Sequence, residues 1–186
     1  MTNIGHNLTG IAIGILCLPK GSSIIRTSVH LLAFVTLSIM PDHDIPGWGH
    51  SNYMVSHSLF INLSLMGFII LLLAWKRGWR TRIGGWPVVV GGSVAWMSHF
   101  LLDLFYKNSV GLAMFWPFSS ARSFGLPLPW FSTLSSGPGS FLSHNLRVYA
   151  IELACYGPLV LLALALLDRN AVPDGNLTLR CDERTK

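Results

Sequence analysis

Charge is what this chain has least of. Of its 186 residues 11% are charged, under half the roughly 25% of an ordinary soluble domain. Acids are the scarcer sign, at 8 Asp+Glu. That scarcity excludes a disordered chain, a coiled coil and an ordinary cytosolic enzyme, all of which need a more polar surface. Cysteine is sparse too. Cys17, Cys155 and Cys181 are an odd number at scattered spacing and form neither a C-x-x-C pair nor a disulfide framework. No internal repeat is present, and the first apolar run has neither the basic lead nor the A-x-A site of a cleaved signal peptide. What the chain has instead is hydrocarbon: 51% hydrophobic residues and a mean hydropathy of +0.51. Such a surface calls for lipid as its solvent.

The apolar runs predict an all-α fold, a polytopic membrane helical bundle of about five spans, or four plus a short N-terminal helix. Helices are expected near 4–18, 24–40, 58–75, 84–105 and 148–167. The first is short for the roughly 30 Å hydrocarbon core and carries Gly10 and Gly14 four apart, a spacing that permits close helix contact. Residues 1–167 read as one membrane-embedded domain. Within it, 106–147 is rich in Pro, Gly, Ser and aromatics and lacks a helical period, so it is expected to be an outer loop or lid against the headgroups. Residues 168–186 are a polar tail.

Cations set the orientation. With Lys76, Arg77, Arg80 and Arg82 in the cytoplasm, alternation puts ten of the 13 Lys+Arg inside and leaves Lys107, Arg122 and Arg147 outside. The N-terminus is then extracytoplasmic and the C-terminus cytoplasmic. The formal net charge of +5 thus sorts by membrane side, and no direct nucleic-acid partner is expected.

Six of the seven histidines fall on the outer side with this orientation; only His30 sits mid-span. His6 opens the first helix, Asp42 and Asp44 end the second, His57 opens the third, and His99 and Asp103 close the fourth. In SHFLLD the imidazole and carboxylate are four residues apart and share one helix face. A local His–Asp hydrogen bond would use the same spacing. In IMPDHDIPGWGH the two carboxylates follow a proline-terminated helix, where a turn can aim both at one cation; a solvated helix end is the plainer account. His57 alone would suit an interface, and His6 beside Asn7 and Thr9 a helix start. His50 is a further possible ligand in a Gly-rich loop. Glu152 completes the site or pairs with a cation such as Arg147. The metal set is therefore His6, Asp42, Asp44, His57, His99 and Asp103. Asp44 and Glu152 are the candidate proton acceptors for catalysis.

Taken in order, Gly5-His6, Pro41-Asp42-x-Asp44, His57-Ser58, Ser98-His99-x-x-x-Asp103 and the Trp116-Pro117 stretch with Gly111 upstream resemble the membrane-bound metal-dependent hydrolase family. Its members are also described as LexA-binding, inner-membrane-associated hydrolases of bacteria. The likeness covers about the first two thirds of the chain. One position departs: the family usually has H-R-G-x-x-H-S, and Asn52 stands here in place of its first histidine. The resemblance implies a hydrolase of the bacterial inner membrane.

The mixed imidazole and carboxylate donors suit a divalent metal, zinc first, with manganese or iron as alternatives. Six ligands exceed what one tetrahedral zinc takes, which points to one or two ions. The expected activity is hydrolysis of a phosphoester or lipid-linked, amphiphilic substrate at the extracytoplasmic face, with membrane lipids as partners. Competing readings are a non-catalytic metal-binding scaffold, an ion or metal transporter, and a haem-binding cytochrome.

Overall fold

Serine, proline and glycine set where the helices of this chain begin and end. The computed structural model describes residues 3–19, 21–106, 111–122, 126, 128, 130–134 and 141–169. Helix α1 runs Asn3–Leu16. Helix α2, Ile24–Ser38, opens on Ser23, whose hydroxyl accepts the Arg26 N–H at 3.4 Å. Pro41 then leads a 3₁₀ turn, Met40–Asp42, and a second turn, Gly49–Asn52, feeds the one-turn helix α3, Tyr53–Ser56. Ser58 caps α4, Leu59–Trp75, by accepting the Ile61 N–H at 3.2 Å.

The cations at 76–82 end that apolar helix. The chain bends by 105° into α5, Arg77–Ile83, which keeps the charges off the long axis of α4. Arg80 donates back to the Leu73 and Ala74 carbonyls at 3.3 and 3.1 Å, partnering groups the helix end would strand. Gly84, at φ +113°, closes α5 with the Gly85 N–H bonded to the Arg80 carbonyl at 2.9 Å. Helix α6 is Trp86–Asp103 and α7 is Phe141–Arg169. Among the described residues every regular element is helical.

Span count is where the structure departs from the sequence reading. Among the described residues one helix is long and apolar enough to cross a bilayer alone, Leu142–Asp168 within α7, and the bent α4–α5 pair adds a second if it acts as one span. At 14 and 15 residues, α1 and α2 reach only about 21–23 Å against a core of about 30 Å. Helix α7 also starts seven residues earlier than the expected 148, so the end of the expected outer loop is helical. The tail beyond Arg169 and Lys107 lie outside the described residues.

Helix α1 packs against α7, α2 and α6. Its approach to α2 needs glycine: a Cβ at Gly10 would sit 2.6 Å from Ser38 Oγ and 2.8 Å from the Phe34 carbonyl. Ala12 and Ile15 of α1 pack with Ala163 of α7. Trp96 and Phe100 of α6 gather Leu112, with Met40 and Trp48 packed against them. Tyr106, Phe131 and Tyr156 form a third cluster. Outward-facing Ile24, Phe68, Leu71 and Leu161 are exposed, a surface fit for lipid tails. The 111–122 segment lies on the start of α4: the Ser58 hydroxyl donates to the Trp116 carbonyl at 2.6 Å, and Tyr53 to the Gly111 carbonyl at 2.9 Å.

Candidate metal centre

The first turns of α1, the end of α6, the 3₁₀ turn after α2 and the α3–α4 junction meet at one point. His6 of α1 brings Nε2 to 3.4 Å from Asp103 Oδ1, and His99 of α6 brings Nε2 to 3.4 Å from Asp103 Oδ2. Asp42 Oδ1 lies 3.2 Å from His57 Nε2 and 3.7 Å from His99 Nε2. Two three-residue sets, His6–Asp42–His99 and His57–His99–Asp103, each hold donor atoms within 4.8 Å of one another. All three imidazoles are buried. The His6 and His99 rings stack at 4.1 Å.

The other ring nitrogens say what state these imidazoles are in. His99 Nδ1 lies 3.1 Å from the Ser38 carbonyl; a carbonyl only accepts, so Nδ1 carries the proton. The Ser56 hydroxyl donates to the Gly49 carbonyl at 3.2 Å, so at 2.8 Å its oxygen takes the proton of His57 Nδ1. With Nδ1 donating, Nε2 is the ring nitrogen left for a ligand, and in both residues it is aimed at carboxylates. Lone pairs facing anions repel unless a cation stands between them. Consistent with that, His6 Nε2, His99 Nε2 and Asp103 Oδ1 are buried without a hydrogen-bond partner, a costly state in a protein interior. A backbone or hydroxyl acceptor behind a ligating imidazole is the usual device for orienting it toward a metal. The residues fit a divalent ion.

Electrostatics at the rim agree. Burial opposes charge on Asp42, but its contacts with the His57 and His99 imidazoles outweigh it and hold the carboxyl below the usual range. Tyr53 stacks on His57 at 3.8 Å. Its phenol is pushed up by burial and by the charges of Asp103 and Asp42. The Arg122 guanidinium lies 5.4 Å from the Tyr53 ring centroid, beside the cluster.

An inner membrane protein family model, described as YdjM inner membrane protein, matches residues 1–170. The chain belongs to that family. No curated protein and no solved structure matches it. Membership accounts for the apolar exterior of the helices.

Within this family member, five of the residues singled out from sequence meet: His6, Asp42, His57, His99 and Asp103. Two others do not. Asp44 is exposed and belongs to neither donor set, because the chain after Pro41 turns only one carboxylate inward. Glu152 of α7 is fully buried yet is committed elsewhere, accepting the Gly5 N–H at 3.1 Å and the Tyr106 hydroxyl at 2.9 Å. It braces the residue before His6. The side chain of His50 lies outside the described residues. Sequence reading missed Ser56, Tyr53 and the Ser38 carbonyl, whose roles depend on tertiary contacts. Asn62 left a clue, an amide inside an apolar run. Buried, it donates to the Ser56 and Ser58 carbonyls, both at 2.8 Å, and accepts the Trp96 indole N–H at 2.8 Å.

Proposed function

We propose that the chain is a multi-pass inner-membrane hydrolase dependent on a divalent metal, zinc first, acting on a phosphoester of an amphiphilic or lipid-linked substrate at the extracytoplasmic face. The observation that supports this most is the meeting of buried imidazole nitrogens with the carboxylates of Asp42 and Asp103. A bound divalent ion supplies Lewis acidity and makes water a nucleophile near neutral pH. Five donors exceed the four of a tetrahedral zinc, and each carboxylate touches two imidazoles, so sharing between two ions is chemically natural.

The chain's own residues do the rest. Ser38 and Ser56 fix the tautomers of His99 and His57. Tyr53 walls one side and keeps bulk water from His57. Arg122 beside Tyr53 supplies positive charge for an anionic headgroup. With the Glu152 oxygens occupied by Gly5 and Tyr106, the proton from water passes to a carboxylate of the cluster, and exposed Asp44 is placed to relay it to solvent. Resemblance to the membrane-bound metal-dependent hydrolases supports the reaction class. The Asn52 departure leaves the cluster itself intact.

Metal analysis of detergent-purified protein tests the site. Wild type should retain a divalent ion, and His99→Ala and Asp42→Ala should each lose roughly 100-fold in affinity, the upper end of what even supporting residues cost. Retention should also fall as pH drops, because each imidazole must lose its proton to bind a metal. Unchanged metal in both variants would falsify the ligand assignment. Turnover of lipid-linked phosphoesters, lost with the metal, supports the hydrolase; metal without turnover on any phosphoester supports a scaffold.

A further inference from the structure

At the end of α6 away from the cluster, a second feature stands apart from the metal chemistry. A cavity of about 420 Å³ lies between α2, α4 and α6, a size typical of small-molecule and lipid sites. Its walls are mostly apolar, with Phe34 and Leu37 from α2, Ile69 and Ile70 from α4, and Trp96 at the far end; His30 and Ser93 are the polar side chains among them. At its other end stand two guanidinium groups, Arg26 from the first turn of α2 and Arg82 from α5. Both are exposed. Between residues 3 and 103 the acids are Asp42, Asp44 and Asp103, and none lines this cavity. Among the described residues, the two cations therefore face a largely apolar slot with no carboxylate lining it.

We propose that this slot holds one anionic phospholipid, an acyl chain lying along α6 and the phosphate between Arg26 and Arg82. Charge complementarity decides the occupant. A zwitterionic headgroup offsets its phosphate with its own cation, whereas an anionic headgroup leaves net negative charge for the two guanidiniums, whose forked donors suit its phosphate. A free phosphate would satisfy the arginines and leave the hydrocarbon wall behind them unfilled. The far wall is fixed: Trp96 is held by Asn62 at 2.8 Å, and Asn62 in turn holds the Ser56 and Ser58 carbonyls. The chain end of the lipid thus abuts the layer that supports His57, one turn of α6 from His99. Lipid and metal sites are separate in chemistry and adjoin through this layer.

Native mass spectrometry of the detergent-purified full chain, titrated with phosphatidylglycerol or with phosphatidylcholine of the same acyl chains, tests the assignment. Wild type should retain phosphatidylglycerol roughly thirtyfold better, the preference expected of two cations near an anionic headgroup. Arg26→Ala with Arg82→Ala should erase that preference, and the Arg26→Lys, Arg82→Lys pair should keep most of it. The lysine pair separates lost charge from a damaged fold. Ala33→Trp, at an exposed position on the slot wall, should weaken retention of both lipids by obstructing the chain. Equal retention of the two lipids by wild type overturns the proposal, as does a preference that survives in the double alanine variant. Displacement of bound lipid by dilute inorganic phosphate would mean that the arginines hold a free anion. Metal content is read on the same samples, so loss of lipid preference with metal retained bears on this site alone.

Discussion

An imidazole bonded through Nδ1 to a carbonyl has one use left for Nε2, and in His99 that nitrogen looks onto two carboxylates. The same logic makes Glu152 a positioning residue. Its carboxyl is buried on α7 and accepts one N–H of α1 and one phenol. Tyr106→Phe removes a donor from a buried carboxylate and should cost about 1–3 kcal/mol, read as a lower melting temperature. The phenol also gives the fold a pH limit. Burial and the Glu152 charge push its pKa up, so the folded state holds the proton more tightly than the unfolded chain. Stability from this group is complete below the unfolded value of about 10 and is lost as pH rises beyond it. Tyr106→Phe should flatten the alkaline limb of a denaturation series; an unaltered limb would count against the argument. At this scale the imidazoles and carboxylates that cluster were legible because helix spacing and helix ends are local properties. Glu152 was not, since its partner Gly5 lies 147 residues away in sequence.

Among the elements, the seam between α1 and α2 carries the site. Gly10 lets the two backbones approach, and the Ser38 carbonyl that fixes His99 sits on that seam. Gly10→Val would force its side chain into Ser38 and Phe34, costing about 1–3 kcal/mol by overpacking, and should lower metal retention along with melting temperature. Ser58→Ala removes both the α4 cap and the bond to Trp116. About 1 kcal/mol is expected from the cap, measured by chemical denaturation; no change would mean that α4 starts independently of Ser58. Helix starts at Ser23 and Ser58 could be read from sequence because a cap is a one-residue signal followed by an apolar run. The early start of α7 could not. Its first turns carry His144, Asn145 and Arg147, and nothing local in FLSHNLR outweighs that polarity.

For the molecule as a whole, scarcity of charge revealed the helical membrane class, but not how many times the chain crosses. The short α1 and α2 carry the right composition on too little length, so the proposed topology rests on cation placement. It predicts that Cys181, left as the single cysteine, reacts with a membrane-impermeant maleimide only once the inner membrane is opened. Labelling in intact spheroplasts would reverse the orientation. The contact between Gly5 and Glu152 has a consequence for biogenesis. A helix whose brace lies 147 residues further along the chain cannot settle until that brace has been made, so the His6 end of α1 comes to rest only after α7 has reached it.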